Sequence, residues 1–277
     1  EVAEKTGLAV GTPIFVGSGD QQCGAVGVGN SGEAGLGSVC LGTAGLCIGY
    51  SDTPVRDKNG KCHVLGHPKG GYTMEGHASA AASSYRWCRN AIAQYEHLTA
   101  DISDIDVYEI MCSIASKAPI GSKGTIFLPW LAGAACPYYN DDAKGAFIGM
   151  TLGTTKAEIL RSAMEGICFE MRGMLEALKE AGFNNFSKLR VTGGAARSAF
   201  WNQMQANIYG CTVESVKAPE ATALGAAMIG AVGVGDFKDL GEASLAMVEV
   251  KDVFEPIPEE VERYNAVYEV FKACYEG

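Results

Sequence analysis

Asp20 stands in "GSGDQQ", after the apolar run at 12–16 and beside Gln21 and Gln22. One carboxylate crowded by glycine suits two jobs. It caps a short helix over 21–29, or it is a general base held at that helix end. Three more glycine-bearing turns follow strand-like runs: "LGTAG" at 41–45, "TGGAARS" at 192–198 and "EATALGAA" at 220–227. Such turns bare backbone N–H groups and let a phosphate approach closely. GxxxxGK[ST] does not occur, and no GxGxxG runs from a strand into a helix as a Rossmann turn requires, so the turns suggest a nucleotide site of another kind. In that reading Gly42 and Thr43 form a phosphate loop, with Gly45 clearing space. Gly194 then lies flat against a base and Ser198 bonds at its edge. The competing readings are a β-hairpin turn at 41–45 and a strand-to-helix connection capped by Ser198 at 193–198.

These residues need elements to hold them. Residues 2–8 read as a helix tail closed by Gly7, and 12–16 as a β-branched and aromatic strand. The loop at 31–35 is the expected domain boundary. Runs at 36–41, 45–50, 61–65 and 71–74 predict an antiparallel meander. Helical periodicity follows over 76–97 and 104–117. A short strand is expected within 124–133, and a loop over 135–150. The longest helix is expected over 155–181, capped by Thr154 or Thr155 and ended by Gly182. A strand at 188–194, a helix at 198–209, a strand at 212–217 and helices at 220–233 and 258–275 complete the pattern. This order predicts an α/β fold, a mixed sheet flanked by helices. Trp87, Trp130 and Trp201 are expected in the core, and Glu158 and Glu165 in structural roles. The small-residue helix at 221–231 is expected to pack closely without touching ligand.

The chain has 277 residues, 47% hydrophobic and 19% charged, enough for a sizeable core. A net charge of −10 argues against nucleic acid or an anionic membrane as partner. Ten cysteines without a CxxC pair read as reduced thiols of a cytoplasmic protein. Cys62, His63 and His67 fall short of a zinc ligand set, so no metal site is assigned. No apolar run reaches membrane length and no signal peptide is visible. The chain opens without Met in mid-pattern and reads as a fragment lacking its N-terminal part.

The stretch "GAFIGMTLGTTKAEILRSAME" at 145–165 resembles the second signature of the FGGY carbohydrate kinase family. "GTPIFVGSGDQQCGAVGVG", "LGTAG", "FLPWLAGAACPYYNDDAKG", "VTGGAARSAFWNQMQANIYG" and "EATALGAAMIGAVGVGDF" occur in the family's order, over essentially the whole chain. Within the family the chain is most similar to xylulokinase-type members. The resemblance implies two actin-like ATPase (ribonuclease H-like) domains around a cleft. Residues 1–30 would be the tail of the N-terminal sugar-binding domain, and 31–277 the C-terminal ATP-binding domain. It implies ATP and Mg2+ as cofactors, with the metal-linked aspartate on the N-terminal domain. Asp20 would accept the sugar hydroxyl proton, and Gln21 would lie beside the sugar. Gly42 and Thr43 match the phosphate loop; Gly193, Gly194 and Ser198 match the adenosine-binding turn. Ala82 and Arg86 fall at ATP-site positions where glycerol kinases carry glycine and glutamine. "GAACP" at 133–137 replaces the "G-E-R-x-P" of many members.

The implied activity is ATP-dependent phosphorylation of a sugar hydroxyl, D-xylulose or a related pentulose first. Glycerol, gluconate or ribulose are alternative substrates. An actin-like ATPase with conformational output and a non-catalytic sugar sensor are alternatives of other classes. Asp20 and the 145–165 signature favour the kinase. The expected partners are the sugar, ATP and the missing N-terminal domain, and a homodimer is compatible with this reading. The isolated fragment is expected to be inactive.

Overall fold

The computed structural model describes residues 1–31, 33, 35–183 and 186–276. Two residues of the expected boundary loop, Gly32 and Ala34, lie outside that set. The chain opens with α1 (Val2–Thr6), closed by Gly7 in a left-handed conformation, and reaches α2 (Asp20–Gly27) through an irregular segment. Then come β1 (Leu36–Leu41), β2 (Gly45–Ser51), β3 (His63–Gly66) and β4 (Tyr72–Ala78). Helices α3 (Ala82–Ala91), α4 (Gln94–Ser103) and α5 (Val107–Ala115) follow, with the small hairpin β5 (Ile126–Leu128) and β6 (Ala146–Ile148). The second half runs α6 (Lys156–Glu180), β7 (Lys188–Gly193), α7 (Ala199–Tyr209), β8 (Thr212–Val216), α8 (Ala221–Val234), α9 (Leu240–Met247), β9 (Val250–Phe254) and α10 (Pro258–Glu276).

Seven strands form one mixed sheet in the order β3-β4-β2-β1-β7-β8-β9. The meander side is antiparallel, β1, β7 and β8 are parallel, and β9 closes the far edge antiparallel. Parallel pairing of β1 with β7 needs a crossover, and α6 is the long helix within it. Leu160, Met164, Ile167 and Met174 of α6 pack in one core with Val39, Leu41, Met74 and Val191 of the sheet. Thr155 and Glu158 form a capping box at its start. Glu165 is buried and fully partnered: it accepts from Arg161 Nε at 2.9 Å, Gly121 N at 3.0 Å and Ser122 Oγ at 2.8 Å. Both glutamates are therefore structural, as expected.

The opposite sheet face carries α2, α8 and α9 around Val26, Met228, Leu240 and Ala243. Helices α2 and α8 cross backbone to backbone. A Cβ on Gly27 would sit 1.8 Å from the Ala221 carbonyl oxygen, and one on Gly225 1.8 Å from that of Cys23. The small residues of α8 are there for this approach.

Several expectations need correction. Residues 12–16 are not a strand. They are exposed, Val16 at 95%, and no described strand pairs with them. β-propensity alone does not make a strand without a ladder partner. The helix expected over 76–97 begins later, because β2 pairs with β4 as far as Gly45 opposite Ala78. It also breaks at Ile92–Ala93 into α3 and α4. Asp104 does not start α5; it ends α4 at φ 52°, and Asp106 caps α5 by accepting from Tyr108 N at 2.8 Å. Trp130 and Trp201 are core residues, but Trp87 is 42% exposed on the outer side of α3. The short β6, α9 and β9 carry no signal that the sequence reading caught. All ten cysteines are free thiols and none is exposed. Among the described residues no helix is long and apolar enough to cross a membrane.

Candidate active site

Two cavities lie at the carboxyl ends of β1 and β7, where a parallel sheet opens toward ligand. The larger, of 910 Å³, is bounded by the β1–β2 turn, the amino ends of α3, α5 and α7, and the turn after β7. Gly42, Thr43, Ala82, Arg86, Gly194 and Ser198 all line it. The β1–β2 turn is fixed from α3: Ala82 N donates to the Gly42 carbonyl at 3.0 Å, and Ser83 Oγ to that of Thr43 at 2.7 Å. Thus 41–45 is a hairpin turn and a cavity wall at once.

The turn after β7 depends on its first glycine. Gly193 has φ 85°, and a Cβ there would lie 2.3 Å from the Leu41 carbonyl oxygen. Gly194 is different: a Cβ there meets nothing within 4 Å, so the space above it belongs to the cavity. Ser198 caps α7, its Oγ accepting from Trp201 N at 3.3 Å.

Three helix amino ends around one cavity favour an anion through their dipoles, while the Gly42 and Thr43 carbonyls hold the first N–H groups of α3 and Asp106 and Ser198 cap α5 and α7. Arg86 and Arg197 line the cavity and make no hydrogen bond or ion pair among the described residues. Arg89 lies 5.5 Å from the Tyr108 ring centroid, on a wall where Asp106 and Glu109 supply negative charge. An aromatic ring, unpaired guanidinium groups and bare backbone suit a ligand with a flat part and a phosphate part.

The smaller cavity, of 280 Å³, lies on the sheet face under α2 and α8 and shares Gly194 and Arg197 with the first. Gln21, Ser38, Thr192 and Gly193 line it. Ser38 is only 7% exposed, and its hydroxyl has no protein hydrogen-bond partner among the described residues.

Asp20 lines neither cavity. It is the exposed first residue of α2, with Oδ1 accepting from Gln21 N at 3.0 Å and its carbonyl from Thr222 Oγ1 at 3.3 Å. Half-buried Glu75 lies near it. Burial raises the Glu75 carboxyl above its ordinary value; His63 opposes this and the Asp20 charge adds to it. The folded chain thus gathers six of the nine candidate residues in one cavity and places Gln21 and Gly193 on the adjoining one. Asp20 is left at the open end of α2.

Tyr85, Arg89, Asp106, Tyr108 and Arg197 also line the larger cavity, and sequence reasoning misses them. Arg197 sits inside "TGGAARS" and is legible there. The α5 residues are not, because their approach depends on how α3, α4 and α5 pack.

The mixed sheet and its flanking helices have the fold of an actin-like domain. A family profile described as "FGGY family of carbohydrate kinases, C-terminal domain" matches residues 37–234. The chain belongs to the FGGY family of carbohydrate kinases. A xylulose kinase of Bacillus subtilis (strain 168) is 32% identical over 99% of this chain and 53% of its own length. A gluconokinase of the same strain is 29% identical over 98% of this chain and 52% of its own length. The crystal structure of a ligand-bound xylulose kinase from Lactobacillus acidophilus superposes with a TM-score of 0.88 at 24% identity, over 99% of this chain and 53% of that one. The chain spans about half the length of the curated relatives it matches.

Proposed function

We propose that this chain is the nucleotide-binding half of an ATP-dependent sugar kinase, completed by an amino-terminal half that holds most of the sugar. The larger cavity takes the nucleoside between the Gly194 turn and α3, with Ser198 at its edge. Gly42, Thr43, Arg86 and Arg197 face the phosphates. The convergence of Gly42–Thr43, Ala82, Arg86, Gly194 and Ser198, from three separate segments, carries this reading. Asp20 is the general base. It accepts the proton of the sugar hydroxyl as that oxygen bonds to the terminal phosphorus and the bond to ADP breaks. Phosphoryl transfer asks the protein chiefly for positioning and charge stabilisation, so one carboxylate suffices. Gln21 lies beside the hydroxyl.

The substrate we favour is a pentulose such as D-xylulose, supported by the xylulose kinase relatives. Gluconate is the competing substrate, supported by the gluconokinase relative. No cluster of His, Cys, Asp or Glu among the described residues fits a metal ion. Mg2+ would accompany the phosphates, as the family resemblance implies, and no step is assigned to it through this chain. Calorimetry of the 277-residue chain with ADP tests the reading. Weak binding is expected, without pentulose phosphorylation by the chain alone. Absence of ADP binding, or sugar phosphorylation by the isolated chain, would overturn it.

A further inference from the structure

Gln22, the third residue of α2, is 7% exposed, yet it carries a primary amide into the protein. Its Nε2 donates to Glu75 Oε2 at 3.0 Å. Its Oε1 leans over the helix cap, 2.4 Å from where a Cβ on Gly19 would stand. Glu75 lies in β4, opposite Ile48 of β2 and His63 of β3. The first turn of α2 is thus tied on two sides: to α8 through Thr222 and the Asp20 carbonyl, and to β4 through Gln22 and Glu75. Three residues after Glu75, β4 ends at Ala78, and the chain turns into Ala82 and Ser83 on the nucleotide-facing wall.

If Gln22 served only to fill space, an apolar side chain would do so without the cost of burying an amide. The carboxylate that holds it also stands close to Asp20, a like charge, which is unfavourable for stability alone. We propose that Glu75, acting through Gln22, is a positioning residue for Asp20. The Glu75–Gln22 hydrogen bond fixes the first turn of α2 against the strand that leads to the nucleotide wall. This rests on the reading of Asp20 as the base. A base must lie within hydrogen-bond reach of the proton it takes, and a misplacement of about 1 Å costs about 100-fold in rate.

The test uses the complete kinase that contains this chain, with D-xylulose and gluconate as acceptors. Glu75→Leu and Gln22→Leu each lower kcat by about 10- to 100-fold and leave KM for ATP within about twofold. The double variant loses no more than either single one, because one bond is removed. Glu75→Gln retains an acceptor oxygen and returns kcat to within about threefold of the parent. The proposal falls if Glu75→Leu and Gln22→Leu keep parental kcat while Asp20→Asn is inactive, or if Glu75→Gln fails as fully as Glu75→Leu. Parental kcat in Asp20→Asn instead removes the base reading itself. A second measurement guards against misfolding. In the 277-residue chain, the Asp20 amide NMR signal moves in Gln22→Leu and moves less in Glu75→Gln, which keeps the hydrogen bond. An unmoved Asp20 signal in folded Gln22→Leu overturns the proposal.

Discussion

The wall of the larger cavity is bonded from several elements, whereas the segment leading to Asp20 is almost bare. Thr43 and Gly42 are clasped by α3, Gly193 is wedged against Leu41, and Ser198 and Asp106 close the ends of two helices. By contrast, Val10, Ile14 and Val16 stand 77–95% exposed, and the Phe15 ring rests on the backbone of Gly233. The larger cavity is walled by tightly bonded elements of this chain. The region bearing Asp20 has apolar surface left to share, of the kind a partner covers. Binding and chemistry should therefore separate experimentally, and four measurements break or sharpen that division.

Asp20→Asn in the complete kinase has the largest expected effect. Turnover falls by about 100- to 10,000-fold, while ADP affinity of the chain, read by calorimetry, stays unchanged. A parallel loss of ADP affinity would erase the distinction between the two regions.

The two adjacent glycines come next, with opposite outcomes. Gly193→Ala forces a side chain into a glycine-only conformation and into Leu41, costing about 1–3 kcal/mol or more in urea unfolding. Gly194→Ala leaves the unfolding midpoint in place and weakens ADP binding about tenfold, by filling cavity space. Equal loss of stability in both would show that Gly194 is a packing glycine.

A smaller effect is expected from the unpaired cations. Arg86→Ala or Arg197→Ala raises the ADP dissociation constant about three- to tenfold at low salt and less at high salt. Salt-independent losses would mean that the side chains pack and do not bind phosphate.

The smallest effect lies away from both regions. Lys123, at 2.8 Å, and then Thr155 hold the Glu158 carboxyl down to about 2, below its ordinary 4.5. Its folded value is the lower one, so its contribution is complete above 4.5 and disappears as pH falls toward 2. Glu158→Gln should remove that part of the acid loss in urea titrations and leave ADP affinity alone. A change in ADP affinity would tie the 145–165 segment to the site.

That segment shows what was legible and why. It is the stretch of sequence by which the family is recognised, yet none of its residues lines either cavity. Glu158 and Glu165 build α6, and α6 carries the sheet. The glycine turns at 42, 193 and 194 were legible because glycine after a strand has few other uses. Ser198 was legible as a cap, and Gly182 as a stop. The extended appearance of 12–16 misled because alternation and β-branching describe a strand's side chains, while only a neighbour supplies its ladder. The break at Ile92–Ala93 carries neither glycine nor proline, and it was missed.

The sequence alone determined the α/β order, the family and the residue types at the turns, because these depend on local spacing and backbone freedom. Only the tertiary structure decided which turns share a cavity, since that follows from the parallel pairing of β1 with β7 across a crossover of more than a hundred residues. It also decided that Glu75 reaches Gln22, 53 positions earlier, and that Asp20 stands at an open end of α2. Those relations come from packing between distant segments, and no local pattern encodes them.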